Sequence, residues 1–180
     1  RFAVEPPTGL PDEDTAFDML DALIERTTAA GLQRYEVSAY ARKGHQCLHN
    51  LNYWQFGDYL GIGAGAHSKI SFPDRIVRQV RWREPATYME KACSWQAVSN
   101  EHEVALRSRA FEFMMNALRL KDGFELLRFT ERTGLTLASI QQAMGEAEAK
   151  GLLQRDLARA WPTARGFDFL SDLQALFLQD

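Results

Sequence analysis

The sequence has few cysteines, no long apolar run and no strong excess of either charge. Cys47 and Cys93 are the only cysteines among 180 residues, which excludes a disulfide framework and favours a reducing, cytoplasmic location. No apolar stretch approaches the ~18 residues that a membrane-spanning helix needs. The net charge of −3 gives no general attraction for nucleic acid or for an anionic membrane. A hydrophobic content of 46% is ordinary for a globular domain.

The first part of the chain has the pattern of a helix followed by a strand. Asp12 suits the N-terminal cap of a helix and Gly31 suits its end. Residues 35–41 then alternate between apolar and polar, as in a β-strand. Such a unit belongs to a mostly parallel sheet and cannot cover both sheet faces alone. Because the chain also opens at Arg1 without an initiator methionine, we expect it to start inside a longer protein.

The middle of the chain is rich in glycine and aromatic residues. Glycines spread over residues 42–67 make a regular helix there unlikely to form, so we expect an irregular connection. Residues 68–82 have the pattern of a hairpin with its turn at Pro73 and Asp74. Pro85 is expected to open a helix that runs to about Trp95.

The last third has the pattern of a winged-helix module. Three helical segments are expected within residues 104–150, with Gly134 making a turn and Gly151 ending the third helix. Two short strands and a closing helix follow. The predicted fold class is therefore α+β: the last αβ unit of a partial parallel barrel, followed by a mostly helical, winged-helix-like domain. The predicted divisions are the barrel end (1–82), a connecting helix (83–103) and the C-terminal domain (104–180).

The hexapeptide H-N-L-N-Y-W at residues 49–54 concentrates groups that can bind a flat cofactor or a metal. Together with Y-E-V-S-A-Y-A before it and G-I-G-A-G-A-H-S after it, it resembles the HemW family, radical S-adenosylmethionine haem chaperones long labelled oxygen-independent coproporphyrinogen III oxidase-like proteins. The resemblance extends through F-E-F-M-M-N-A-L-R-L to essentially the whole chain. It implies the C-terminal part of such a protein, containing the end of the barrel and the accessory domain.

The element that defines this superfamily is absent from the sequence. Radical S-adenosylmethionine enzymes hold a 4Fe-4S cluster on C-x-x-x-C-x-x-C, and two distant cysteines cannot replace three closely spaced thiolates. The resemblance implies that the cluster and S-adenosylmethionine belong to the parent protein only, and that this chain alone is inactive as an enzyme. It also points to Ala41, at the end of the predicted strand, as a residue near S-adenosylmethionine.

His49 is the first candidate for binding a cofactor, because a neutral imidazole is a good axial ligand of haem iron. The resemblance associates the H-N-x-x-Y box with haem, which makes His49, Asn50 and Tyr53 the candidate haem residues. Cys47 is an alternative ligand, since a thiolate can also bind haem iron. In an extended segment His45, Cys47 and His49 would point the same way, which leaves a zinc site as another option.

The glycines at 61, 63 and 65 form a second, weaker candidate for cofactor binding. Backbone amides in such a loop can approach an anion or a flat cofactor closely. The spacing is not that of a dinucleotide fingerprint. A tight structural turn is the simpler interpretation for Gly61, Gly63 and Gly65, and His67 has the same ambiguity.

A winged-helix pattern also raises the question of DNA binding. The third helix offers Gln141 and Gln142, but Glu146 and Glu148 follow them. Recognition helices need cationic flanks, so we expect no nucleic acid partner and interpret this module as a structural or protein-contact domain.

The preferred function is therefore the C-terminal part of a haem chaperone that binds haem or another porphyrin and delivers it to acceptor proteins, with acceptors at the membrane as one option. An alternative within the resemblance is an oxygen-independent coproporphyrinogen III dehydrogenase, which decarboxylates two propionate side chains. A different class is a winged-helix module that binds protein or DNA. The sequence leaves the oligomeric state open.

Overall fold

The computed structural model describes residues 7–178, which form two compact units. One unit ends at Cys47 and the other begins at Leu48. The α+β class is confirmed, since the described residues contain both helices and antiparallel strands. None of their helices combines the length and the apolar character needed to cross a membrane.

The first unit contains the predicted helix. Helix α1 spans Glu13–Ala29, and its cap is Asp12, whose carboxylate accepts a hydrogen bond from the backbone N–H of Thr15 at 2.8 Å. Gly31, just beyond the helix, has a φ of 78°, a conformation that glycine adopts without strain. The prediction for this helix is confirmed.

The continuous strand predicted over residues 35–41 is wrong. The chain instead forms two short strands, β1 (Gln33–Arg34) and β2 (Tyr40–Ala41), which pair antiparallel with Gln33 opposite Ala41. Local hydrogen bonds make the turn between them. The Arg34 side chain donates to the Val37 carbonyl, and the Glu36 carboxylate accepts from the Ser38 N–H at 3.0 Å. Every strand pair in residues 7–178 is antiparallel. The parallel partners expected for the αβ unit lie outside this sequence and stay a prediction.

The second unit opens with a helix that we did not predict. Helix α2 covers Leu48–Trp54, within the segment where the glycines led us to expect none. Residues 45–56 contain no glycine, so the chain has room for two helical turns before Gly57. The helix ends at Trp54, Phe56 beyond it has a φ of 55°, and the Gly57 N–H donates to the Asn52 carbonyl at 2.7 Å.

A three-stranded antiparallel sheet follows, in the order β3, β4, β5. The predicted hairpin is confirmed as β3 (His67–Ser71) and β4 (Ile76–Arg81). Helix α3 (Pro85–Cys93) begins at the predicted proline. Strand β5 (Val98–Glu103) was missed, and it pairs with β4. The division at residues 82/83 and 103/104 stays a prediction, although β5 ties part of the connecting segment to the hairpin.

The winged-helix pattern is confirmed in the last third of the chain. Its elements are α4 (Leu106–Ala117), β6 (Phe124–Glu125), α5 (Leu126–Thr133), a 3-10 turn (Leu137–Ile140), α6 (Gln141–Ala149), β7 (Leu153–Arg155), β8 (Arg159–Pro162), α7 (Ala164–Asp168) and α8 (Leu170–Ala175). The three strands form one sheet in the order β6, β8, β7. Gly134 ends α5 with a φ of 72°.

The hydrophobic core lies in the second unit and is centred on Phe113 of α4. This ring is fully buried and meets three other phenylalanine rings edge-on, namely Phe56 at 5.8 Å, Phe124 at 5.1 Å and Phe129 at 5.2 Å. Burying one such side chain is worth about 1.5–3 kcal/mol. Because Phe56 lies two residues beyond Trp54, the last residue of α2, the core also anchors the chain just after that helix.

Candidate functional site

Helix α2 presents a histidine to solvent beside an aromatic ring. His49 is exposed, and its ring centre lies 4.8 Å from that of Tyr53 with an angle of 66° between the planes. Residues four apart lie on one helix face, so the box spacing alone brings these two rings together. Leu48, next to His49, has 80% of its surface exposed. Asn50 is half-buried.

Tyr53 in turn packs against Tyr59, and their ring centres are 4.3 Å apart. Burial raises the pKa of the Tyr53 phenol, and the neighbouring Tyr59 raises it further. The phenol is therefore neutral near pH 7 and offers a hydroxyl group rather than a phenolate. The three rings of His49, Tyr53 and Tyr59 form a continuous row on this surface, which we name the aromatic row.

Tyr59 is fixed at both its backbone and its hydroxyl group. Its N–H and carbonyl each bond to the backbone of Lys69 at 3.0 Å. Its hydroxyl oxygen accepts from Nη1 of Arg78 on β4 at 3.3 Å. Nε of Arg78 donates to Oε2 of Glu112 on α4 at 3.1 Å, and Nη2 donates to the same oxygen. Burial alone would lower the pKa of Arg78, but Glu112 and Tyr59 outweigh burial and raise it.

Lys69 of β3 is a buried cation beneath the turn that follows α2. Only 1% of its surface is exposed. Its ammonium group donates to the Phe56 carbonyl (3.1 Å), to Oδ1 of Asp58 (2.8 Å) and to the Ser71 hydroxyl (3.1 Å), and lies 4.2 Å from the centre of the Phe56 ring. All three donors are thus used, which is what burial of a charge requires. We did not predict this cluster, because lysine is almost never buried.

The two partners of this ion pair have pKa values that are both lowered. For Lys69, burial lowers the pKa more than Asp58 raises it. For Asp58, burial acts to raise the pKa, but hydrogen bonds from Lys69 and Ser71 bring it below its ordinary value of 3.8. The Asp58 carboxylate is therefore ionised at pH 7, and it accepts a hydrogen bond from the side-chain nitrogen of Lys69.

The glycine segment is a packed turn rather than an open anion cradle. The amides of Gly61, Gly63 and Gly65 donate, in that order, to the Ser68 hydroxyl (2.9 Å), the Tyr88 hydroxyl (3.1 Å) and the Trp82 carbonyl (2.8 Å). A Cβ at Gly61 would stand 2.2 Å from the His67 carbonyl oxygen, so only glycine fits there. These contacts favour the structural interpretation; ligand binding by the three glycines stays a prediction.

The zinc interpretation finds no support in the structure. His49 lies in a helix, so the extended geometry that would align it with His45 and Cys47 is not present. Within residues 7–178, no group of three His, Cys, Asp or Glu side chains could hold a metal ion. Cys47 and Cys93 are both free and exposed, and Cys47 as a haem ligand stays a prediction.

Ala41 lies in the first unit, in β2 opposite Gln33, and is half-buried. Its predicted place near S-adenosylmethionine is not tested by the geometry of this chain.

Two cations of the winged-helix module, Lys150 and Arg155, are paired with acids of its third helix. Lys150 lies 2.7 Å from Glu146, and Nε of Arg155 lies 2.8 Å from Glu148. Gln141 accepts from Arg155 at 3.1 Å. These two cations are therefore engaged by carboxylates of the same module, whereas a DNA-binding helix offers its cations to phosphates.

Residues 104–169 match the HemN C-terminal domain family. We name residues 104–169 the HemN C-terminal domain after this match. The matched residues include Phe113 of the core and Glu112, which binds Arg78 behind the aromatic row.

Relatives are similar to the chain far beyond the HemN C-terminal domain. The protein named "Heme chaperone HemW" in Escherichia coli (strain K12) is 42% identical over 181 residues, which is 99% of this chain and 46% of that protein. Its namesake in Haemophilus influenzae is 39% identical over the same shares, and that of Bacillus subtilis (strain 168) is 28% identical over 87% of this chain. The chain spans less than half the length of these relatives. The resemblance to HemW is confirmed.

A solved structure shares the fold. It is described as "Coproporphyrinogen III oxidase (HemN) from Escherichia coli is a Radical SAM enzyme", and it matches 93% of this chain and 42% of its own length with a TM-score of 0.65. At 16% identity this likeness shows the fold alone. The HemN C-terminal domain and the sheet before it therefore occur together in that radical S-adenosylmethionine enzyme.

Proposed function

We propose that this chain is the C-terminal part of a haem chaperone that binds haem at His49 and delivers it to acceptor proteins. The observation that supports this most directly is the exposed His49 imidazole on a helix held against a fixed row of tyrosines. The similarity to proteins named heme chaperones over 99% of the chain agrees with it.

The donor set on α2 fits haem. When bound, haem iron accepts the lone pair of a neutral imidazole nitrogen. His49 is exposed, while the neighbouring Leu48 side chain, 80% exposed, offers an apolar surface to a macrocycle. Tyr53 limits the orientations of the imidazole from one side. Asn50 supplies an amide on the same short helix, and we propose it as a polar contact of the haem periphery.

The chain's own residues do not fit a 4Fe-4S cluster, because two cysteines cannot provide three thiolates. We assign the cluster, and S-adenosylmethionine with Ala41 as its neighbour, to the parent protein. Two free cysteines agree with a reducing cytosol, and we propose that location for the protein.

Ferric haem titration of the full-length protein tests the proposal. His49→Ala should weaken haem binding by more than about tenfold and move the Soret maximum, because the imidazole ligand is lost. His102→Ala is the matched control, since His102 is also exposed but lies on β5, and it should leave both quantities unchanged. Equal affinity and an equal Soret maximum for wild type and His49→Ala would remove His49 as the ligand.

Turnover separates a chaperone from the dehydrogenase. With its cluster and S-adenosylmethionine restored, the full-length protein should leave coproporphyrinogen III unchanged. Formation of protoporphyrinogen IX under these conditions would replace the proposed function with the dehydrogenase activity.

A further inference from the structure

The HemN C-terminal domain contacts the aromatic row through one continuous chain of polar and ring contacts. Glu112 of α4 binds Arg78, Arg78 donates to the Tyr59 hydroxyl, and the Tyr59 ring packs on Tyr53 beside His49. All five residues lie in the second compact unit. These contacts link the HemN C-terminal domain to α2, the helix that carries His49.

The Glu112–Arg78 pair is built to hold a position. The two side chains are only 21% and 26% exposed, and two N–H groups of the guanidinium converge on one carboxylate oxygen. A planar, charge-assisted contact of this kind also fixes the direction of the remaining guanidinium nitrogen, Nη1. Nη1 is the atom that donates to the Tyr59 hydroxyl.

The Tyr59 ring cannot turn away without breaking contacts. Its backbone is bonded on both sides to Lys69, and its hydroxyl to Arg78. Tyr53 packs between Tyr59 and His49, with ring distances of 4.3 and 4.8 Å. Edge and offset contacts between aromatic rings prefer definite angles. The position of Tyr59 therefore sets that of the Tyr53 ring, and the Tyr53 ring in turn sets the plane of the His49 ring.

A second contact ties the same helix to the same domain. The guanidinium group of Arg119, which follows α4, lies 4.2 Å from the centre of the Trp54 ring at the end of α2. Stacking of this kind orients both groups. The domain thus reaches α2 at two places: at Tyr53, through Tyr59 and Arg78, and at Trp54, through Arg119.

We propose that Glu112 and Arg78 are positioning residues, through which the HemN C-terminal domain sets the plane of the His49 imidazole toward haem iron. This inference rests on the proposed function, since it assumes that His49 binds the iron. The orientation of an imidazole ligand governs its bonding to the metal, and groups behind a ligand tune metal affinity. The domain thus fixes the orientation of the haem ligand His49, in addition to any contact that it makes with acceptor proteins.

Electron paramagnetic resonance of the ferric haem complex reads this orientation. Glu112→Gln keeps the shape of the side chain but removes the charge that holds Arg78. We expect it to broaden the ferric haem signal and shift its g-values, and to weaken haem binding by about tenfold. Tyr59→Phe, which keeps the ring and loses only the hydroxyl, should change the g-values in the same direction.

Glu148→Gln is the matched control. It breaks a carboxylate–arginine pair of the same domain, with side chains 31% and 27% exposed, that joins α6 to β7. It should leave the g-values and the haem affinity as in wild type. The double variant Arg78→Met/Glu112→Gln should be no worse than the weaker-binding of its two single variants, because both remove one contact.

The outcomes separate this inference from the proposed function. If His49→Ala binds haem as wild type does, the proposed function fails and this inference fails with it. If His49→Ala loses haem binding while Glu112→Gln matches Glu148→Gln in g-values and affinity, only the positioning role is overturned. Additive effects of Arg78→Met and Glu112→Gln would likewise overturn it.

Discussion

The two compact units of this chain differ sharply in how much they bury. Between Pro7 and Cys47 only Glu36 is buried, and α1 has no buried residue although its apolar side chains recur at helical spacing. From Leu48 onward a continuous core surrounds Phe113. Helical spacing of apolar residues predicts a helix correctly in both units. Burial of that helix, however, depends on other elements that pack against it, which the spacing does not reveal. The first unit has the predicted helix, but two short strands replace the predicted continuous one.

The largest test of this contrast is a matched pair of phenylalanine truncations. Phe113→Ala should lower the free energy of unfolding by about 4 kcal/mol, because it removes a fully buried ring that three others contact. Phe17→Ala on α1, where the ring is 52% exposed, should cost less than about 0.5 kcal/mol. Urea unfolding followed by far-ultraviolet circular dichroism measures both. Equal losses would break the contrast.

Next in size is the buried ammonium group of the second unit. Lys69→Met should cost about 3 kcal/mol, since it leaves Asp58 without its cation and frees the Phe56 carbonyl. We take the low end of the range for buried pairs because the Asp58 side chain is 40% exposed. Lys150→Met is the control: its pair with Glu146 is exposed and worth about 0.3–0.5 kcal/mol. Comparable losses in urea unfolding would contradict a buried, structural Lys69.

The smallest expected effect is the loss of stability at low pH that the Asp58 carboxylate causes. The folded pKa of Asp58 lies below its ordinary 3.8, so the folded protein binds fewer protons there than the unfolded chain. This carboxylate therefore stabilises the fold above pH 3.8, and the contribution is lost as the pH falls through the folded pKa. Asp58→Asn should cost about 1 kcal/mol at pH 7, a value reduced for partial exposure. The difference from wild type should shrink in urea unfolding measured below pH 3.8.

Asp12 provides the counterpart in the first unit. Its pKa is also lowered, by hydrogen bonds from Thr15, but the residue caps an exposed helix. Since asparagine caps helices as well as aspartate does and Asp12 is fully exposed, Asp12→Asn should change urea unfolding less than Asp58→Asn at pH 7. A pH-dependent difference for this variant, equal to that of Asp58→Asn, would show that the two carboxylates act alike.

The winged-helix domain could be predicted because its signals are local. Its apolar residues keep helical spacing, and Gly134 and Gly151 stand where helices end, with φ values of 72° and 68°. The contact between His49 and Tyr53 was not predicted, because it depends on helix α2 and that helix was missed. Short helices between glycines leave little periodicity to detect.

The rest depended on contacts between residues distant in sequence. Strand β5 reads V-S-N-E-H-E and is exposed along nearly its whole length, so it lacks the alternation that marks a strand. Lys69 is buried because three oxygens from separate segments converge on it. Glu112 and Arg78 are 34 residues apart, and nothing in either local sequence indicates that they pair.

The two free cysteines make this chain suited to distance spectroscopy. Cys47 is the last residue of one compact unit, Cys93 ends α3 in the other, and both thiols are exposed. Because the sequence contains no other cysteine, a nitroxide label on each thiol gives one dipolar coupling without any substitution. That coupling reports the separation of the units in solution, and its change on adding haem would measure how far ligand binding moves them.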